Sequence, residues 1–239
     1  MPLRFEPGTS WQYGISIDYA GLIVERLSKM SLNDYFAANI LTPLGMTATN
    51  FRLTEEIKAA RADMLMRTPE GLITSPTHMF PDDIDSDLGG AGLWGSAGDY
   101  AKVLTDLLKD ESVLLDDKTK ELLFTPALGA ASKAKMNHLI WGDYPGNENG
   151  KVGNVFSGPS LPKGTEVTYA LGGSSVVGDV PGGRRAGTLS WGGLPNLIWL
   201  VDRQAGRALF TGSQLLPPGD VTMGETFRKF EEAMYAEGK

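Results

Sequence analysis

The chain holds 239 residues with 30 Gly, 14 Pro and no Cys, 22 Lys+Arg against 29 Asp+Glu, and a formal net charge of −7. At 41% apolar and 21% charged it has enough apolar sequence for a core, which excludes disorder; its Gly and Pro content excludes a coiled coil, and its acidic balance without a Lys/Arg run excludes the electrostatic footprint of a nucleic-acid binder. Disulfides, thiolate metal sites and a Cys nucleophile are excluded with Cys; no stretch reaches the roughly 20 apolar residues of a bilayer span and residues 1–8 lack an apolar signal segment, so the expected protein is soluble, cytoplasmic and not membrane-bound.

In chain order, Ile17, Ala20, Ile23, Val24 and Leu27 recur at the spacing of one helix face, after the Pro-Gly-Thr-Ser punctuation of residues 7–10. Ser31, with Asp34 three residues on, reads as the N-cap of a short helix through Tyr35, Phe36 and Ile40, stopped by Pro43 and Gly45. Residues 52–68 read as a polar, charge-mixed segment and 69–92 as a long loop rich in Pro, Asp and Gly. Ser96 with Asp99 opens a helix whose apolar face is Tyr100, Val103, Leu104, Leu107 and Leu108, and a further short helix is predicted over 118–124.

From residue 167 the pattern changes to short β runs cut by Gly, over 167–171, 175–180, 186–191, 197–202 and 208–213. Residues 202–206 have the length and residue types of a hairpin turn, so the sheet is predicted to be antiparallel. Phe227, Phe230 and Met234 place a helix over 225–236 on that sheet. The order predicts an α+β fold in a single domain over 1–239, with 1–165 mostly helix and loop and 166–239 an antiparallel sheet plus a C-terminal covering helix.

Several motifs invite a chemical reading that their context does not support. Residues 90–95 satisfy G-x-G-x-x-G, but the preceding 81–87 run of Pro and Asp is no buried strand, so a tight turn feeding a helix is preferred to a nucleotide site, and no cofactor is expected. Asp83, Asp85 and Asp87 alternate like the start of a calcium loop, yet Leu88 and Trp94 stand where Gly and Glu belong, so a solvated acidic loop is expected. His78 and His138 have no carboxylate at ligand spacing, and no metal is expected. Two serines stand in S-x-x-K, Ser132 with Lys135 and Ser160 with Lys163. Pro162 and Gly164 forbid the helix that Ser160 would need, and Ser132 lies in a polar stretch, where a buried Ser–Lys pair is not expected. No Ser stands in G-x-S-x-G.

Taken together, residues 5–14 (Phe-Glu-Pro-Gly-Thr-Ser-Trp-Gln-Tyr-Gly), Asp18-Tyr19-Ala20-Gly21, a helix ending before Pro43-Leu44-Gly45-Met46, the Gly-rich 89–101 segment and Ser190-Trp191-Gly192-Gly193-Leu194-Pro195-Asn196 resemble the serine β-lactamase-related (class C-like) esterases and transesterases. With Trp199-Leu200-Val201-Asp202 and residues 214–220, the resemblance is closest to the fungal branch containing the lovastatin acyltransferase. It implies a β-lactamase/transpeptidase-like fold and a site built from an S-x-x-K nucleophile, a Tyr of a Y-x-N element and a K-T-G-like triad on an edge strand. The Tyr maps onto Tyr13 as general acid or base, although Ile15 stands where the Asn of Y-x-N belongs, and the triad maps onto Trp191, Gly192 and Gly193, whose following N–H would form part of an oxyanion hole. The resemblance starts at the Tyr element, so the chain is expected to match only the C-terminal part of that fold, without the S-x-x-K segment.

Three functions compete on this reading. The favoured one is a repurposed enzyme of secondary-metabolite type that uses Tyr13 without an acyl-serine. The others are a serine ester hydrolase or acyltransferase whose S-x-x-K half lies on another chain or is missing from the sequence, and a non-catalytic binding protein. Trp11, Trp94, Trp191, Gly192, Gly193 and Leu194 are the expected substrate contacts, for an apolar or ester-like small molecule. In the family the strand near 208–213 pairs with an N-terminal strand; left open, that edge is expected to form a homodimer.

Overall fold

The computed structural model describes residues 3–76, 80–142 and 161–236, so His78 and Ser160 lie outside the described residues. Helix α1 (Ser16–Ser28) ends where Lys29 turns left-handed at φ 59°. Helix α2 (Leu32–Phe36) starts on the Ser31 side chain, which accepts the Asp34 N–H at 3.0 Å, and runs on through a π-helical turn over Ala37–Leu41. Helix α3 (Glu55–Ala60), strands β1 (Leu65–Thr68) and β2 (Gly71–Thr74), and helices α4 (Ala97–Leu108), α5 (Asp117–Phe124) and α6 (Ala130–Trp141) follow. Thr54, Ser96 and Asp116 cap α3, α4 and α5 by accepting an N–H three residues on. Strands β3 (Val167–Ala170), β4 (Gly173–Val176), β5 (Leu189–Gly193), β6 (Leu197–Asp202), β7 (Arg207–Thr211) and β8 (Leu215–Leu216) precede helix α7 (Val221–Ala236).

The main sheet has the order β3-β4-β5-β6-β7 and every neighbouring pair in it is antiparallel. The period of two along β6 sends its side chains to two different helical layers. Ile198 and Leu200 meet Phe227 of α7, while Val201 joins Leu104 and Leu107 of α4, Phe124 of α5, Ala170 and Leu189. A third cluster packs Met136 and Ile140 of α6 on Val167, Val176 and Val180. Each fully buried Leu, Ile, Val or Phe contributes about 1.5–3 kcal/mol, and these three clusters hold the sheet between its helices. Tyr100 of α4 lies against Phe210 at 4.9 Å, and burial pushes its phenol up to about 12. Because the folded value is raised, the neutral phenol's contribution is intact below the ordinary phenol range and is lost as pH rises from about 10 towards 12. Urea midpoints measured across that window are expected to fall in the wild type, and to fall less in Tyr100→Phe.

The two edges of the main sheet are treated differently. At β3, Asn137 of α6 donates to the Val167 carbonyl at 2.7 Å and accepts the Val167 N–H at 3.0 Å, and the Ala127 N–H reaches the Tyr169 carbonyl at 2.9 Å. At the other edge β7 pairs with β6 and with no other strand among the described residues. Lys120 of α5 is buried and donates to the carbonyls of Lys109 and Asp110, both at 2.7 Å, closing the end of α4. Lys120→Met strands two carbonyls and is expected to cost about 2–3 kcal/mol, read as a lowered urea midpoint.

The structure departs from the sequence expectations in four places. Residues 52–74 form α3 and the β1–β2 hairpin rather than a polar segment and the start of a loop, and β1 also pairs in parallel with β8 (Leu65↔Leu215), a contact between segments 150 residues apart. Helix α6 covers the polar stretch around Ser132, for which the sequence reading gives no helix bounds. Helix α1 forms, but Ile17, Ile23 and Leu27 of its apolar face are solvent-exposed, Leu27 at 79%; its one buried residue is Gly21. There the 88–90 turn comes so close that a Cβ on Gly89 would lie 2.4 Å from the Ile17 carbonyl oxygen, while Asp18 accepts the Gly90 N–H at 2.9 Å. The Gly-rich 89–95 segment is thus a turn that seats on α1 and then feeds α4. Lastly, Asp87 is no solvated loop residue: it is buried, accepts the Asn33 N–H at 3.0 Å and pairs with Arg52 at 2.9 Å. None of the described helices is long and apolar enough to cross a membrane.

Candidate active site

Trp191 sits at the middle of β5, opposite Trp199 of β6. The β4–β5 pairing consists of Ser174↔Ser190 and Ser175↔Leu189, so β5 has strands on both sides up to Ser190. From Trp191 to Gly193 it keeps β6 on one side and has no described strand on the other. The edge expected for the Trp-Gly-Gly triad is therefore local: β5 is an interior strand whose second half is left open. Gly193 packs closely across the next turn, since a Cβ there would lie 3.1 Å from the Leu197 side chain.

Tyr13 reaches this strand from the irregular segment before α1. Its ring stacks on the Trp191 indole at 6.2 Å between centroids and 25° between planes. Tyr13 is 55% exposed and stacks beside the half of β5 that has no described strand next to it. Ser132 explains how the segment reaches there: its buried hydroxyl lies 2.9 Å from the Gly8 carbonyl and 3.0 Å from the Ser10 carbonyl, tying residues 8–10 to α6. Its hydroxyl proton is thereby committed, Lys135 is exposed, and Lys133 pairs with Glu166 at 2.6 Å. Ser132 is a tether, in agreement with its expected lack of a buried lysine partner.

Of the other expected contacts, Trp11 joins the cluster through Tyr169, at 6.3 Å and 46°. Gly192 and Gly193 are half-buried and Leu194 is exposed, continuing the strand. Trp94 is held by a different set of neighbours: it bridges to Asn50 and lies under the Arg61 guanidinium at 5.5 Å. The Gly-rich turn that carries Trp94 seats on α1 and starts α4.

Sequence reasoning missed Tyr169. It stands on β3 with its ring edge-on to Trp191, at 5.3 Å and 85°, and its phenol is raised by burial and secondarily by the charge that Tyr13 would carry. Its period-two place in a β run offered only a core assignment. Ser190 and Ser174, paired across β4–β5, have buried hydroxyls without a hydrogen-bond partner among the described residues. Asn196, two residues past Leu194, was quoted in the 190–196 segment without a role: its amide donates to the Leu215 and Pro217 carbonyls at 2.8 and 3.0 Å and its oxygen accepts the Asp220 N–H at 2.8 Å. It anchors the return of the chain from the β5–β6 turn to α7. Two surface depressions, of about 400 and 350 Å³, lie beside Phe124 and Arg203 and beside Trp141 and Glu166, and none of the four clustered aromatics lines them.

Tyr13 offers a phenol proton, the aromatic cluster an apolar surface, and the open half of β5 a backbone strip for a polarised carbonyl. Comparison with known proteins sets this arrangement in a family context. The model of the family described as beta-lactamase matches residues 1–230. The ML-236A carboxylate methylbutanoyltransferase of Penicillium citrinum is 34% identical over 100% of this chain and 56% of its own length. The lovastatin esterase of Penicillium rubens is 30% identical over 85% of this chain and 50% of its own. The solved structure of simvastatin synthase from Aspergillus terreus, in a mutant form, superimposes with a TM-score of 0.89 at 34% identity, covering 99% of this chain and 58% of that one. The chain thus spans little more than half the length of the relatives it matches.

Proposed function

The chain belongs to the beta-lactamase family, and from that membership we propose that it is a transesterase-related enzyme of secondary metabolism that uses the Tyr13 phenol as general acid and base on a small apolar ester, without an acyl-serine drawn from these 239 residues. The observation that carries this reading is the Tyr13–Trp191 stack at 6.2 Å beside the open half of β5. In the step envisaged, water or an alcohol attacks the ester carbonyl and the acyl carbon–oxygen bond breaks. The phenol proton passes to the departing alkoxide, and the attacking oxygen's proton restores the phenol. Support comes from acyl transfer and ester cleavage being the activities named for relatives at 34% and 30% identity.

A second reading is favoured by the same open strip: a serine from a further polypeptide segment seats against Trp191–Gly193 and completes a conventional acyl-enzyme site. A fluorophosphonate serine probe separates the two. The favoured reading expects turnover of activated esters by the 239-residue chain with no adduct; an adduct on a supplied S-x-x-K segment, with turnover only in its presence, establishes the second. No turnover with either leaves a binding protein.

We also propose that the β7 edge pairs with a second copy of the chain in a C₂ dimer, since an unpaired strand is a template for another. Sedimentation at micromolar concentration is expected to give a dimer, and a single monomer boundary contradicts it.

A further inference from the structure

We propose that Asn196 is a positioning residue for the open half of β5, acting through the β5–β6 turn. The proposal rests on the reading of that half as the backbone strip for a polarised carbonyl and adds a residue to it. The Val176 N–H of β4 donates to the Thr188 carbonyl at 3.4 Å, and backbone groups alternate sides along a strand, so those of Ser190 and Gly192 also point to the β4 side. The pairing with β4 runs no further than Ser190, so the Gly192 backbone points where no described strand continues. Leu194 is next in that alternation, but it is the first of the three turn residues Leu194, Pro195 and Asn196 between the paired Gly193 and Leu197. The turn, and not the ladder, therefore sets where the end of the strip points.

Asn196 holds the turn in two ways. Its backbone is left-handed at φ 61°, the conformation that closes a three-residue hairpin turn and that Asn adopts more readily than most residues. Its side chain is buried and bonded at both ends: the amide donates to the Leu215 and Pro217 carbonyls at 2.8 and 3.0 Å, and the oxygen accepts the Asp220 N–H at 2.8 Å. The Ser213 hydroxyl adds a bond to the Pro195 carbonyl at 2.6 Å. The 213–220 segment on the far side of these bonds has holds of its own. The Leu65 N–H of β1 donates to the Gln214 carbonyl at 2.7 Å, β8 pairs with β1, and Arg67 of β1 clasps both carboxylate oxygens of Asp220, one of which also accepts the Met223 N–H at the start of α7. The strip, by contrast, has two adjacent glycines, Gly192 and Gly193, and described strand pairing on one side. Loss of the Asn196 side chain is therefore expected to loosen the turn and the strip before it loosens the 213–220 segment.

The test reads amide hydrogen exchange in the full chain. Asn196→Gly keeps the left-handed backbone accessible and removes the side-chain bonds to Leu215, Pro217 and Asp220. It is expected to speed exchange over residues 189–200 about fivefold, while exchange over α4 stays within about twofold of the wild type. Lys120→Met, which strands carbonyls at the end of α4, is expected to do the reverse, so a general loss of stability is told apart from loss of the anchor. Unchanged exchange over 189–200 in Asn196→Gly, or an equal rise in both segments, overturns the proposal. Should Asn196→Gly not fold, Ser213→Ala takes its place with an expected rise over 189–200 of about threefold, and no rise overturns the proposal. In ester turnover Asn196→Gly is expected to lower kcat about tenfold with KM within about twofold, as for a misplaced group rather than a lost contact, and Lys120→Met to leave both unchanged. An unchanged kcat in Asn196→Gly overturns the positioning role. If the wild type turns over no ester, the functional reading fails while exchange still reports whether Asn196 holds the strip.

Discussion

Tyr13→Phe is expected to lower ester turnover by about 10²–10⁴-fold, the range for removing a general acid–base group, with no loss of fold. The Tyr13 side chain is 55% exposed, so the fold does not rest on its burial. Phe keeps the ring and with it the 6.2 Å contact to Trp191. The loss should therefore fall in kcat, with KM little changed, since ring contact binds ground and transition states alike. Thermal midpoints of the two proteins are expected to agree within about 2 °C, because substitutions outside the core usually shift stability by no more than about 0.5 kcal/mol. Activity within twofold of the wild type would remove Tyr13 from the mechanism.

The largest expected effect on stability lies at the opposite end of the sheet. Arg184 is fully buried, with its Nε donating to Glu231 of α7 at 2.8 Å, its Nη2 to the second carboxylate oxygen at 2.6 Å, and its backbone N–H to the same carboxylate at 3.3 Å. Beside it Asp202 accepts the Tyr235 hydroxyl at 2.5 Å and the N–H groups of Arg185 and Ala205, each at 2.9 Å. Burial and then the Asp202 carboxylate hold the Tyr235 phenol well above the usual range. Arg184→Leu leaves the Glu231 carboxylate buried with its main partner gone, and is expected to cost about 3–5 kcal/mol. At roughly 2–4 °C per kcal/mol for a chain of this size, the thermal midpoint should drop by about 6–20 °C. The double variant Arg184→Leu with Glu231→Leu is expected to recover a large part of that loss, since no charge is then stranded. A double variant no more stable than the single one would mean that the pair carries a stabilisation of its own.

Local signals were legible wherever one residue type completes a local bond. Ser31 and Ser96 accept N–H groups three residues on and start their helices as expected. The 202–206 turn joins β6 to β7, and β3 to β7 fall on the five predicted runs with boundaries shifted by up to a few residues. What failed was long-range. The stretch around Leu65 carried no strand signal strong enough to stand alone: β1 pairs with its neighbour β2 in a hairpin, and its other side is completed only by β8, where its partner Leu215 is 150 residues away. Helix α1 announced an apolar face by its period, yet only Gly21 is buried, because the neighbour that packs closely is a backbone turn at Gly89 that needs absence of side chain and not apolar bulk.

The candidate site divides along the same line. Tyr13 and Trp191 could be named from the sequence because each stands in a recognisable local motif, and family membership and fold class follow from residue order. Tyr169, the neighbours of Trp94, the tethering role of Ser132 and the open half of β5 were decided by the tertiary structure. Each depends on which distant segment a side chain meets, and such meetings are set by strand register and helix docking, which no single stretch of the chain encodes.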